Sequence, residues 1–220
     1  TVFMWPDVFE GWGSNEIKDL NNKNYADLHV CWGAEKNLDV HYENLIWLWA
    51  PQDASLYHPL NSGTQDLDVS FLGSTRYSER QTYLNYLVKN GISVYIDGGQ
   101  REKGLPPSKY AGLMRRSKIS LNFPAGPEGN DQCKGRVWEI LASKSLLLER
   151  KNQPIKNYLT PDVHYVEFDG EQDLVKKINY YLSNSDERQR IVEKGHNEYM
   201  KKYNSKEFWR SVMREVNCDL

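Results

Sequence analysis

Cysteine is scarce in this chain: Cys31, Cys133 and Cys218 are the only three among 220 residues, far apart and in no Cys-x-x-Cys pair. That odd number and spacing exclude a disulfide framework and a structural zinc site, and they fit a reducing, cytoplasmic setting. An excess of one charge sign is missing as well. The 28 lysines and arginines stand against 30 acidic residues, for a net charge of −2, which provides no general attraction to nucleic acid or to anionic membrane surfaces. No apolar run approaches the roughly 20 residues of a membrane-spanning helix, and no signal peptide is visible. The five histidines, His29, His41, His58, His164 and His196, show no ligand spacing, so a metal centre is not expected. An initiator methionine is also missing. The chain opens on Thr1-Val2-Phe3-Met4-Trp5, already inside an apolar run, and is expected to be part of a longer protein.

What is present alternates between strand and helix patterns, the signature of a parallel sheet with helices on both faces. Strands are expected at Val2–Trp5, Ala26–Trp32, Leu45–Trp49, Asp68–Gly73, Ile92–Ile96, Ile119–Phe123, Leu146–Leu148 and Val163–Phe168. Between them, a short polar helix is expected at Asn15–Leu20, one from Ser78 to a stop at Asn90-Gly91, and one at Tyr110–Arg116. Three helices close the chain, carrying Leu174, Ile178 and Leu182, then spanning Asp186–Tyr203, then Phe208, Val212 and Val216 at helical spacing. Residues 51–65 hold Pro51, Pro59 and Gly63 and read as an interdomain linker. The division expected is a partial N-terminal α/β segment with its linker, residues 1–63, followed by a Rossmann-like α/β domain with closing helices, residues 64–220.

One helix start stands out. The run Cys133-Lys134-Gly135-Arg136-Val137-Trp138-Glu139 follows a strand and a Pro/Gly-rich loop, so it lies at the carboxyl edge of a parallel sheet, where ligands bind. Unsatisfied N–H groups and the helix dipole favour an anion there, and Lys134 and Arg136 add full charges. Glu139, one turn in, is suited to accept hydrogen bonds from sugar hydroxyls. The plain alternative is an i, i+3 surface ion pair between Arg136 and Glu139. Arg80, at the start of a helix where the dipole disfavours cations, needs a compensating partner, which is either a bound anion or Glu79 or Asp97. Asp66-Leu67-Asp68 spells a D-x-D but precedes its strand instead of ending one, and is rejected as a metal site.

The strand and glycine Asp68-Val69-Ser70-Phe71-Leu72-Gly73 with Arg80 following, the helix start Lys134–Glu139, the Leu146–Leu148 strand, and the tail with Tyr181-Leu182, Asp186-Glu187-Arg188 and Glu193-Lys194-Gly195 resemble the C-terminal, donor-binding domain of GT-B glycosyltransferases. Within these the likeness is to the group-1 type that includes CgeB-like proteins. Residues 1–57 resemble the closing strands of the acceptor-side domain, and Trp49–Pro59 the crossing between domains. The resemblance implies a donor site that grips a nucleotide diphosphate without a divalent metal or other cofactor. Arg80 falls where relatives place a phosphate-binding lysine. Ser74 replaces their arginine after Gly73, with Arg76 as a substitute two residues on. Glu139 corresponds to a carboxylate that holds the ribose, and Asp131, a shorter acid than the usual Glu, to one that meets the donor sugar. Asp131 and Arg136 are thus the catalytic candidates. Gly73, Arg76, Arg80, Gly98, Gly99, Lys134, Gly135 and Glu139 are the donor-binding ones, with Gly98 and Gly99 letting the backbone approach the base.

The expected function is metal-independent transfer of a sugar from a nucleotide-diphosphate sugar, UDP- or GDP-linked, to an acceptor hydroxyl on a glycan, lipid or protein. A non-catalytic nucleotide-sugar or glycan-binding module of the same fold is the second reading, since fold alone does not fix function. A nicotinamide-dependent oxidoreductase is disfavoured, because Gly73 lacks the G-x-G-x-x-G spacing.

Overall fold

The structure, a computed structural model, describes residues 1–5, 26–32, 44–76, 78–97, 105–125 and 131–216. Its strands form two parallel sheets. In the first, β1 (Val2–Trp5), β2 (Leu28–Trp32) and β3 (Leu45–Leu48) pair in chain order. The second holds β4 (Leu67–Leu72), β5 (Tyr95–Asp97), β6 (Ser117–Asn122), β7 (Leu146–Arg150) and β8 (Val166–Phe168), all parallel, in the order β5-β4-β6-β7-β8. Helices α1 (Ser78–Lys89), α2 (Pro107–Arg116) and α3 (Gly135–Ala142) connect these strands, and α4 (Glu171–Ser183), α5 (Ser185–Glu198) and α6 (Ser205–Glu215) follow β8.

A parallel sheet must be covered on both faces, and the alternation of side chains along β7 shows how this is done. Leu146 and Leu148 join one apolar cluster with Leu84 and Leu87 of α1 and Leu174 and Ile178 of α4. Leu147 points the other way, into a cluster with Met114 of α2 and Val137 and Trp138 of α3. Each fully buried side chain of this size stabilises the fold by about 1.5–3 kcal/mol relative to exposure. The chain therefore forms the Rossmann-like arrangement that the alternating pattern predicts. Because β5 and β6 lie on opposite sides of β4, the strand order reverses between β4 and β6, and in open parallel sheets it is beyond the carboxyl ends at such a reversal that a ligand crevice forms. Gly73 and Phe123 stand just past the ends of β4 and β6 at that point.

Two strands begin three residues later than the sequence predicts. The strand expected from Ile92 begins at Tyr95, because Ile92 closes α1 instead. Its N–H donates to Leu87 O at 3.0 Å and that of Gly91 to Val88 O at 3.0 Å, with Gly91 at φ +75°, which is the paired-bond stop that glycine favours after a helix. Likewise β8 starts at Val166, since the N–H groups of Val163 and His164 turn back onto Thr160 O. The polar helix expected at Asn15–Leu20 lies outside the described residues.

The tail ties the two sheets together. After α5 the chain widens into a π turn, Tyr199–Tyr203, and α6 then begins at an Asn204 cap whose side chain accepts from the N–H groups of Lys206 and Glu207. Phe208 of α6 meets Trp32 of β2 and Trp49 just past β3, each with ring centroids 6.1 Å away and nearly perpendicular. Tyr203 packs 5.2 Å from Trp49 and 4.9 Å from Trp138 of α3, and its hydroxyl donates to Tyr158 O. The edge-to-face contacts of Trp49 with Tyr203 and Phe208, and of Trp32 with Phe208, add to area burial.

Candidate functional site

At the crevice the side chain of Arg136 reaches back from the first turn of α3 to the end of β4. A Cβ placed on Gly73 would lie 2.3 Å from Arg136 Nη2, so only glycine lets the guanidinium lie against the main chain there. The guanidinium stands 5.3 Å from the centre of the Phe71 ring, donates from Nη1 to Asn122 Oδ1 at 2.8 Å, and from Nε to the Tyr110 hydroxyl at 3.4 Å. Those hydrogen-bonding partners are neutral. Burial works against the charge, yet the Tyr110 hydroxyl and the carboxylates of Glu139 and Glu149 outweigh it, so the proton is held even more firmly than usual for arginine. The expected alternative, a direct Arg136–Glu139 ion pair, is not what forms.

Glu139 is instead held by phenols. Its Oε2 accepts from the Tyr110 hydroxyl at 2.9 Å, and the Tyr57 hydroxyl, brought in by the linker, lies close enough to favour its charged form. Burial raises the carboxyl above its ordinary range, while Arg136 and the two hydroxyls pull in the opposite direction. The tyrosine rings meet at 6.4 Å in an edge-on pair. Burial, with Glu139 beside them, also raises both hydroxyls, so the phenols remain donors at any physiological pH.

The remaining candidates divide between the crevice and its supports. Arg76 is exposed, and its Nε donates to Ser74 Oγ at 3.2 Å. Lys134 caps α3 through its backbone with no side-chain cap bond, and its ammonium donates to Gln132 Oε1. Gly135 lies under the linker: a Cβ there would come 3.5 Å from that of Ala50, and its carbonyl accepts from Gln52 Nε2 at 3.3 Å. Asp131 forms an ion pair with Arg150, which also binds Glu79 at 2.9 Å. Burial raises the Asp131 carboxyl against the pull of Arg150 and Lys134. Arg80 is 4 % exposed and donates to Ser74 O at 2.9 Å, Ala125 O at 3.2 Å and Phe123 O at 3.4 Å. Through these carbonyls the guanidinium ties the residues just past β4 to those just past β6. Gly98 and Gly99 lie outside the described residues. Asp66 and Asp68 pair with Arg116 and Lys118 on the surface.

Four residues that sequence reasoning missed complete the site: Tyr57, Tyr110, Asn122 and Glu149. Glu149 is fully buried, its Oε2 accepting from Asn122 Nδ2 at 2.8 Å and its Oε1 from Asn152 Nδ2 at 2.9 Å. A carboxylate directly after Leu146-Leu147-Leu148 in a central strand was a legible signal, because buried charge needs a partner. Asn122, the polar end of β6, was its natural complement. The two tyrosines gave no such sign.

A family model described as glycosyl transferase-like matches residues 54–214 of this chain. No curated protein matches it in sequence. Among solved structures, HepE of Anabaena, in complex with UDP and glucose, is similar over 98% of this chain and 71% of its own, with a TM-score of 0.75 at 12% identity. TarM of S. aureus is similar over 92% of this chain and 46% of its own, with a TM-score of 0.68 at 12% identity. For the sucrose-phosphate synthase of Thermosynechococcus elongatus the figures are 98%, 66%, 0.63 and 8%. This chain thus spans about half the length of TarM.

Proposed function

Since this chain belongs to the glycosyl transferase-like family, we propose that it supplies the donor half of a metal-independent glycosyltransferase that takes its sugar from a nucleotide diphosphate, UDP being the first choice. The observation that carries this reading is Arg136: a half-buried cation set against Gly73, with neutral hydrogen-bonding partners and the uncapped start of α3 beside it. Glu139 and Glu149 act on that charge without bonding to it directly, and because its direct hydrogen-bond partners are neutral the guanidinium can take an anion from outside in a charge-assisted hydrogen bond. The diphosphate binds there, with Arg76 and Lys134 at the rim and the N–H groups of α3 completing the cradle.

In this reading Glu139 accepts from the ribose hydroxyls, and Tyr57 and Tyr110 hold its carboxylate in place beforehand. As the sugar departs, charge gathers on the leaving phosphate, and Arg136 and the α3 N-terminus stabilise it without reorganising. Arg80 serves by clamping the two loops that form the walls. UDP is preferred because the similar HepE structure contains it. CgeB-like identity and the choice of acceptor belong to the same proposal and rest on the resemblance alone.

Titration calorimetry with UDP, GDP and ADP tests the site. UDP binding is expected, weakened at least about tenfold, or ~1.4 kcal/mol, in both Arg136→Ala and Glu139→Ala; equal affinity in all three proteins would sink it. A second reading, binding without turnover, is favoured by one contact: Asp131, the candidate for meeting the donor sugar, is tied to Arg150. Release of free nucleotide from UDP-glucose by the protein separates the two readings.

A further inference from the structure

Behind Arg136 lies a chain of buried polar groups that donor binding alone does not call for. The Asn122 carboxamide is wedged between two charges, its Oδ1 accepting from Arg136 Nη1 at 2.8 Å and its Nδ2 donating to Glu149 Oε2 at 2.8 Å. Asn152 Nδ2 donates to the other oxygen, Glu149 Oε1, at 2.9 Å and to Gln132 O at 3.1 Å in the loop that leads into α3. Asn122, Glu149 and Asn152 are all 0% exposed. This polarity fixes the Asn122 amide: only with Nδ2 toward Glu149 does its carbonyl face the guanidinium. The carboxylate thus orients Arg136 through one intervening side chain.

From this geometry we propose that Glu149 is a positioning residue of the donor site, aligning Arg136 through Asn122 and taking up a proton when a diphosphate binds. The inference rests on the donor reading above. Charges and titratable groups face Glu149 from every side: Arg136 of α3 and Arg150 of its own strand favour its ionised form, while Cys133 before α3 and Tyr165 before β8 are neutral neighbours whose own ionisation it opposes. Burial dominates and pushes the carboxyl up to about 7, against the hydrogen bonds of Asn152 and Asn122 and the pull of the arginines. A diphosphate on Arg136 brings negative charge toward that carboxylate and offsets the arginine's pull. The bound state therefore holds the proton more tightly than the unbound one, and by linkage affinity falls as pH rises through the neutral range.

The experiment is calorimetric titration of UDP-glucose, whose pyrophosphate is fully substituted and does not itself titrate near neutrality, into the full chain between about pH 6 and pH 8.5. Wild-type affinity is expected to fall by about tenfold across that range, which is the change when the bound protein holds the Glu149 proton about ten times more tightly than the free protein. Glu149→Gln, which cannot ionise, is expected to lose that slope. Glu149→Gln keeping the wild-type slope overturns the inference, as does a flat wild-type profile, while either result leaves the donor site standing. Failure of the wild type to bind UDP-glucose at any pH removes the donor reading and this inference together. If Glu149→Gln does not fold, wild-type titrations near neutral pH in two buffers of different ionisation enthalpy decide the matter. Net proton uptake on binding is expected, and none overturns it.

Discussion

Gly73 shows how much of this site depends on one missing methyl group. Alanine there places Cβ 2.3 Å from Arg136 Nη2, and the group that must yield is the far end of a flexible side chain instead of the main chain. The fold should tolerate the change within about 1 kcal/mol of stability, while the guanidinium is pushed out of line. Gly73→Ala is therefore expected to weaken UDP at least about tenfold with little change in melting temperature. Calorimetry and thermal unfolding read the two effects separately. At this scale the sequence was partly informative. Arg136, Glu139 and Gly73 were legible because a helix start, a cation and a strand-ending glycine each have a fixed geometrical meaning. The bonds of Arg80 to three carbonyls were not, since nothing local in the sequence says which main-chain oxygens a buried arginine will meet. Tyr57 was hidden for another reason: it lies 82 positions before Glu139 in the numbering, and nothing local in the linker says where its hydroxyl ends up.

Among elements, α5 carries a contact that leaves no room for a side chain. Gly195 brings the helix so near the turn before β8 that an added Cβ would lie 2.3 Å from His164 O and 2.9 Å from Leu141 Cδ2. Alanine is the better helix former by about 0.8–1 kcal/mol, so an exposed helix would gain from the change. Here the clash is with backbone, which cannot swing away, and overpacking costs about 1–3 kcal/mol. Gly195→Ala is expected to be net destabilising in equilibrium urea unfolding; a stabilised variant would show that the helix can slide. Next to it, His196 Nδ1 lies 2.9 Å from Leu141 O, and Lys144 binds Glu193 at 2.7 Å, so the Glu193-Lys194-Gly195 stretch read as a family motif is the seam where α5 meets α3. Element order was legible throughout the described residues because apolar periodicity survives packing. Strand ends were less so. At Ile92 a β-branched residue in an apolar run pointed to a strand, and the glycine stop before it took its N–H for α1.

For the whole molecule, the question is what holds the small first sheet to the larger second one. Phe208 is 0% exposed between Trp32 and Trp49, so truncating it leaves a cavity at the junction, at a cost of about 3–5 kcal/mol. Phe208→Ala should lower the urea midpoint and shift tryptophan emission toward that of solvated indole. An unchanged emission maximum would place the junction's stability elsewhere. The sequence hinted at a separate first segment through the linker with Pro51, Pro59 and Gly63, but a contact between residues 32 and 208 is beyond the reach of any local pattern.

The linker and α6 span the same gap from opposite ends of the chain, so the halves are stitched twice. A shortened version stopping ahead of Phe208 would keep every strand of the donor sheet yet unpick one seam, leaving indole surface uncovered and prone to self-association.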